Sequence, residues 1–264
     1  MTSVYDYPKL YDLLFSDLCR AETAFLTSVF FRYFKKSAGT VLEPACGSGR
    51  LLFHLAKKGF DVSGLDLNPN AVNYCNKRLL RHGLRGKAVT GNMADFSLST
   101  FGRRKKFDLA FNFVSSFLHL TEEADARSHL RCVAEVLKPG GLYLLGIHLK
   151  PRNHAVCVAE NWSIRRGLLS VKSLLRTTAF DKKNRTETVE FCIDAETPTK
   201  HEKIADQFPL RTYTVRQFDA LLADSGQFRI EETFSFLHEP IRVNSSTEDV
   251  IFILRAVPCH SPAF

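Results

Sequence analysis

The chain has 264 residues, of which 45% are apolar and 24% charged. This is enough to build one large α/β domain with a sizeable core, and it excludes wholesale disorder. The formal net charge is +8. Apart from Arg103-Arg104-Lys105-Lys106 the basic residues are scattered along the sequence, which reads as a solvated surface and not as the stripe of a nucleic-acid binder.

The 22 phenylalanines, against one Trp and two Met, read as a Phe-rich core. The seven cysteines are Cys19, Cys46, Cys75, Cys132, Cys157, Cys192 and Cys259. They are odd in number and far apart, with no C-x-x-C, so neither a disulfide framework nor a zinc site is expected. No apolar run approaches the roughly 18 residues of a membrane span, and the N-terminus lacks a secretory pattern. These features predict a soluble protein of the reducing cytoplasm, away from membranes.

Residues 6–36 carry apolar positions at helical spacing and are expected to form an N-terminal helical cap (1–36). "VLEP" is a short buried strand and "GRLLFHLAKKG" a helix stopped by Gly59. "DVSGLD" is a second strand. The next helix opens on a cap-like Asn68 with Pro69 at its first position. "GKAVTGN", "FDLAFNFV" and "LYLLGIHL" continue the strands, and a helix over "EADARSHLRCVAEVLKPGG" precedes the fifth. Alternating strands and helices with short loops predict a doubly wound, mostly parallel sheet. From Lys150 to about Pro209 three runs are β-like (161–166, 174–180 and 186–193), with turn signals between them. We expect an antiparallel insertion (150–209), after which the core (37–149) resumes at 210–264. The whole is one domain.

An open parallel sheet binds ligands at the carboxyl ends of its strands, where strand order reverses. Glu43 ends the first strand and Asp66 the second. Gly47 and Gly49 between them let a backbone approach a ligand closely. A dinucleotide fingerprint would need a third glycine where Leu52 stands, and the Gly-Lys-Ser/Thr of a P-loop is absent. A cationic ligand bearing a ribose suits both carboxylates, with Asp66 accepting from ribose hydroxyls and Glu43 facing positive charge.

Glu43-Pro44-Ala45-Cys46-Gly47-Ser48-Gly49, Asp66, Gly91-Asn92-Met93-Ala94-Asp95 and "LKPGG" stand in the order found in class I S-adenosylmethionine-dependent methyltransferases. The sequence resembles that family over roughly residues 37–149, and weakly over 207–257. Ala45 replaces the family's first glycine, and Asn92 an acid. The resemblance implies a seven-stranded Rossmann-like fold and S-adenosylmethionine as cofactor. Its site would comprise Glu43, Ala45, Gly47, Gly49, Asp66, Leu67, Asn92, Met93, Asp95 and Asn112, with either Asn92 or Asp95 meeting the adenine amino group.

The loop after the fourth strand, Phe111-Asn112-Phe113-Val114-Ser115-Ser116, lacks the prolines of adenine-N6 DNA methyltransferases. "VSSFLHL" and Arg211-Thr212-Tyr213-Thr214 are instead similar to glycine and amino-sugar N-methyltransferases. The implied acceptor is a small molecule, methylated on N or O, with Ser115 and Arg211 at its site. His148, His119 and Tyr11 are the catalytic candidates, His148 first by its position at a strand end. No metal is expected. The insertion is expected to wall the acceptor pocket or to form a homodimer contact. An RNA methyltransferase and a catalytically silent cofactor-binding protein are the competing readings.

Overall fold

A computed structural model describes residues 3–151 and 159–257. Cys157, Cys259 and residues 152–158 of the expected insertion lie outside the described residues.

The N-terminal segment is a single-turn 3-10 helix, Val4–Asp6, followed by α1 (Pro8–Leu14) and α2 (Leu18–Phe34). The continuous helical character expected over 6–36 is therefore broken twice. Pro8 pushes Tyr7 out of the helical region, to φ −112°, ψ 60°. At the second break, the Ser16 hydroxyl donates to the carbonyl of Leu13 at 2.9 Å and so competes with the helical ladder.

The core follows the expected alternation. β1 (Thr40–Pro44), α3 (Arg50–Lys57), β2 (Asp61–Asp66), α4 (Pro69–Arg81), β3 (Gly86–Thr90), β4 (Phe107–Asn112), α5 (Glu123–Val136) and β5 (Leu137–His148) succeed one another. Every residue of β4 is buried, as a strand covered on both faces must be. Asn68 caps α4 by accepting from the backbone N–H groups of Asn70 and Ala71 at 2.8 and 3.2 Å.

The chain then forms an antiparallel sheet of β6 (Ala159–Arg166), β7 (Leu169–Asp181), β8 (Thr186–Thr197) and β9 (Lys200–Arg211). It returns through α6 (Val215–Ser225), β10 (Phe228–Phe234) and β11 (Asp249–Ala256). The seven-stranded sheet has the order β10-β11-β5-β4-β1-β2-β3. Only β11 runs antiparallel, pairing with β5 on one side and β10 on the other. Strand order reverses at β1, which has β2 and β4 as parallel neighbours. Helices α2, α3 and α4 fill one face through Phe25, Leu52 and Leu79. Helices α5 and α6 fill the other through Leu130 and Phe218. No helix among the described residues is long and apolar enough to cross a membrane.

The inserted sheet contains a fourth strand, β9, that the sequence pattern had not marked. It also runs two residues past the expected boundary at 209. Its inner face meets the N-terminal segment: Val4, Leu14 and Phe15 pack with Val171, Phe191, Ile193 and Ile204. The N-terminal segment thus lies between the two sheets.

Candidate active site

A cavity of about 530 Å³ opens at the carboxyl ends of β1–β4, at the point of strand reversal. Its floor is the loop after β1, with Ala45, Cys46, Gly47 and Ser48. Asp66, Leu67 and Asn68 border it after β2, Asn92 and Met93 after β3, and Phe113, Val114 and Ser116 after β4. Its roof is Ser3, Tyr5, Pro8 and Tyr11 of the N-terminal segment, with His119 beside them. The expected wall from the insertion is therefore replaced: no described residue of the inserted sheet lines the cavity. That sheet instead backs the roof, with Phe208 against Tyr5 and His119 at ring-centroid distances of 5.7 and 5.0 Å.

The β1 loop needs an unusual backbone. Ala45, Gly47 and Gly49 have φ of 55°, 51° and 65°. Ala45 holds the left-handed conformation despite its Cβ, which costs about 1–2 kcal/mol. A Cβ on Gly49 would sit 2.2 Å from the Cys75 sulfur, so only glycine fits there. Gly49 is accordingly packed behind the loop and not on the cavity surface.

The Asp66 carboxylate braces this loop. Its two oxygens accept from the backbone N–H of Gly47 at 2.6 Å and of Asn68 at 2.8 Å. Burial raises its pKa against these two hydrogen bonds. Each oxygen keeps a further lone pair for a ligand hydroxyl. Glu43 is buried on the cavity wall, and its Oε2 has no hydrogen-bond partner among the described residues. Burial pushes its pKa well up, opposed by the Arg50 charge. A cationic ligand would supply what Glu43 lacks. Leu67 is 74% exposed at the cavity edge, an apolar surface ready for a flat ring.

Sequence reasoning missed Arg50, the sole Arg or Lys among the described residues that line the cavity. It is the first residue of α3, a position that reads as surface. In the structure its guanidinium is buried and paired two-pronged with Glu22 of α2. Burial opposes its charge, but Glu22 outweighs burial and holds the pKa above the usual arginine value. Further polar ties fasten the roof to the cavity loops. Asp12 accepts from Ser48 Oγ at 3.0 Å and from Arg78 at 2.9 Å. Asp6 accepts from Asn68 Nδ2 at 2.9 Å.

The remaining candidates are placed as follows. Asn92 lines the cavity, while Asp95 is exposed and does not line it. Asn112 acts from behind, donating from Nδ2 to the Pro44 carbonyl at 2.9 Å. Three expectations are corrected. His148 does not line the cavity; it pairs with Asp249, its register partner on β11, and packs on Phe236. The Ser115 hydroxyl accepts from the His148 backbone N–H at 2.9 Å, tying the β4 loop to β5. Arg211 is buried away from the cavity, donating to the carbonyls of Thr121 and Asn184 at 2.8 and 3.0 Å and to Glu123 at 3.2 Å. Its charge is thus already engaged within the protein. Tyr11 and His119 do line the cavity, and Tyr5 joins them, with its hydroxyl 3.1 Å from His119 Nε2.

Residues 41–141 match a methyltransferase domain family. This segment of the chain is a methyltransferase domain. An N,N-dimethyltransferase of dTDP-3-amino-3,4,6-trideoxy-alpha-D-glucopyranose from Streptomyces venezuelae is 30% identical over 53% of this chain and 56% of its own length. The dTDP-3-amino-3,6-dideoxy-alpha-D-glucopyranose N,N-dimethyltransferase of Streptomyces fradiae is 25% identical over 83% of this chain and 82% of its own. The chain spans about half the length of the first curated relatives it matches, 49% for a putative methyltransferase of Geobacillus sp. (strain WCH70). Among solved structures, an S-adenosylmethionine-dependent methyltransferase from Clostridium acetobutylicum ATCC 824 superposes with a TM-score of 0.76 at 16% identity, covering 96% of this chain and 98% of the other. Streptomyces venezuelae DesVI gives 0.75 at 21%, covering 95% and 98%. These two superpositions establish the fold. The residues of the cavity fit S-adenosylmethionine, the cofactor of that domain family: the unpartnered buried Glu43 suits a positive charge, Asp66 has lone pairs for ribose, and Leu67 and Met93 offer apolar cover.

One buried histidine holds the edge of this site. His129 of α5 is fully buried, with Nδ1 2.8 Å from the Met93 carbonyl and Nε2 2.8 Å from the Tyr143 hydroxyl. A carbonyl only accepts, so the neutral ring carries its proton on Nδ1 and accepts from Tyr143 at Nε2. Burial lowers its pKa to about 4. Between pH 6.5 and about 4 the unfolded chain binds a proton that the folded chain refuses. Stability should therefore fall as pH falls through that window, by about 1.4 kcal/mol per pH unit from this group. His129→Gln should flatten that slope in urea titrations across the window; an unchanged slope would mean that His129 titrates alike in both states.

Proposed function

We propose that this protein transfers a methyl group from S-adenosylmethionine to the nitrogen of a small-molecule amine held under the N-terminal roof. The Tyr5–His119 pair is the observation that carries this reading. Burial pushes the Tyr5 pKa well up and lowers that of His119 to about 4. The imidazole is open to the cavity but surrounded by protein atoms, so the pair is uncharged near pH 7. An imidazole of such low basicity is a poor proton acceptor. It suits hydrogen bonding to an amine that arrives already neutral, whose lone pair is then free to attack.

S-adenosylmethionine, when bound, supplies an activated methyl on a sulfonium. Asp66 would hold the ribose hydroxyls, Arg50 the carboxylate and Glu43 the cationic end. Asn92, Leu67 and Met93 would hold the adenine. Tyr5, Tyr11 and His119 orient the acceptor and exclude water, which is most of what this chemistry asks of a protein. The N,N-dimethyltransferases of amino sugars among the relatives support nitrogen as the accepting atom. We place the protein in a reducing cytoplasm, in keeping with the free Cys19, Cys46, Cys75, Cys132 and Cys192. A homodimer through the outer face of the inserted sheet is the assembly we expect. The Leu174–Cys192–Ala205 row, in register across β7–β9, supports it.

Labelled S-adenosylmethionine offered with a panel of amino sugars, amino acids, hydroxylated analogues and total RNA tests the reading. Label should enter an amine, at a rate that rises with pH as the amine loses its proton. His119→Ala should lower kcat by about 10- to 100-fold, the cost of a misplaced acceptor, with cofactor affinity kept. Label entering only RNA, or only hydroxyl compounds, would contradict it.

A further inference from the structure

Basic residues far apart in sequence meet at the amino end of the large sheet, opposite the cavity. Lys35 and Lys36 follow α2, and Lys57 and Lys58 close α3. Arg81 ends α4, with Arg85 and Lys87 around the start of β3. Arg104, Lys105 and Lys106 lead into β4. All are exposed. The strand starts lie side by side, with Thr40 opposite Asp61, Val62 opposite Gly86 and Phe107 opposite Leu137. Four strand spacings give this edge a length of about 19 Å.

The acids of this edge are already neutralised. Asp61 is held by Arg103 at 2.7 Å, Asp108 by Lys138 at 2.6 Å, and Glu135 by Arg131 at 3.5 Å. No ion pair among the described residues engages the exposed lysines and arginines named above. The carbonyl ends of α2, α3 and α4 account for cations beside them. They do not account for Arg85, Lys87 or the 104–106 loop. The scattered charge of the sequence is therefore a concentrated surface in the fold.

We propose that this edge binds the phosphodiester backbone of a nucleic-acid duplex without regard to sequence. Lysines outnumber arginines, which suits charge neutralisation along phosphates more than planar, two-pronged recognition. Protein interfaces are depleted in lysine and anchored by Tyr, Trp or Arg. Phe31 and Leu80 are the large exposed apolar residues, among the described ones, in the last turns of the helices that end here. Two such residues on separate helices make neither a base-stacking row nor an apolar face for a bilayer. The cavity opens on the far side of the sheet, so the duplex is a docking partner and not the methyl acceptor, and both sites can be filled together.

Fluorescence anisotropy with a short labelled DNA duplex, over a series of salt concentrations, tests the proposal. Binding should weaken linearly in a log–log plot against salt, with a slope near −0.9 per phosphate contact. Arg104→Glu/Lys105→Glu/Lys106→Glu should lower affinity more than tenfold and reduce the slope by roughly 3. Its Tm and S-adenosylhomocysteine affinity should stay as in the wild type. Lys35→Glu/Lys36→Glu provides a second variant should the triple one fold poorly. Duplex affinity unchanged in a folded variant, absence of duplex binding by the wild type, or binding to phosphatidylserine vesicles in preference to the duplex would each overturn it.

Discussion

Asp66→Ala should raise the dissociation constant for S-adenosylhomocysteine by about 10- to 150-fold, or about 1.5–3 kcal/mol, the scale of charge-assisted hydrogen bonds. The carboxylate has two tasks in this structure. Toward the cavity it offers lone pairs to ribose hydroxyls. Toward the protein it accepts from the Gly47 and Asn68 backbones. Its removal should therefore also lower stability, by about 1–3 kcal/mol for the donors left unpaired. Calorimetry and thermal unfolding separate the two effects. A lower Tm with an unchanged dissociation constant would leave Asp66 a loop brace only.

A larger loss of stability is expected at Arg50. Arg50→Met leaves the Glu22 carboxylate buried without its cation, which costs about 3–5 kcal/mol. Both side chains are about nine-tenths buried, at 9% and 10% exposure, so solvent offers little relief. Glu22→Leu/Arg50→Met removes the stranded charge and should recover most of that loss. It should not recover cofactor affinity, because the guanidinium that lines the cavity is still missing. Urea unfolding of the wild type and both variants, with S-adenosylhomocysteine titrations, checks this. A double variant no more stable than Arg50→Met would show that the pair stabilises through packing and not through charge.

The parallel core and the cofactor loop were legible because local rules specify them. Glycines at positive φ, an Asn-Pro helix start and strands of uninterrupted apolar residues declare themselves within a few positions. β9 was not legible because Lys200–Asp206 is dense in charge, and only Ile204 and Phe208 betray the alternation. His148 and Arg211 show a second limit. A strand-end position puts a residue at the right edge of a sheet, but it does not say whether the side chain turns to the cavity or to a neighbour such as Asp249 or Glu123. The roof was the least legible part. Tyr11 could be named as a cap residue, yet its backing by Phe191, and that of Tyr5 by Phe208, depends on contacts between distant parts of the sequence. Arg50 was hidden for the same reason, since its partner Glu22 lies on another helix.

We propose that the cavity at the strand reversal is an S-adenosylmethionine site. Calorimetric titration of the wild-type protein with S-adenosylhomocysteine and, separately, with NAD tests it most directly. Micromolar binding of S-adenosylhomocysteine is expected, about −8 kcal/mol, and much weaker binding of NAD, because Leu52 stands where the third glycine would be and Glu43 would face a pyrophosphate. Binding of NAD as tight as that of S-adenosylhomocysteine, or no binding of S-adenosylhomocysteine, would contradict it.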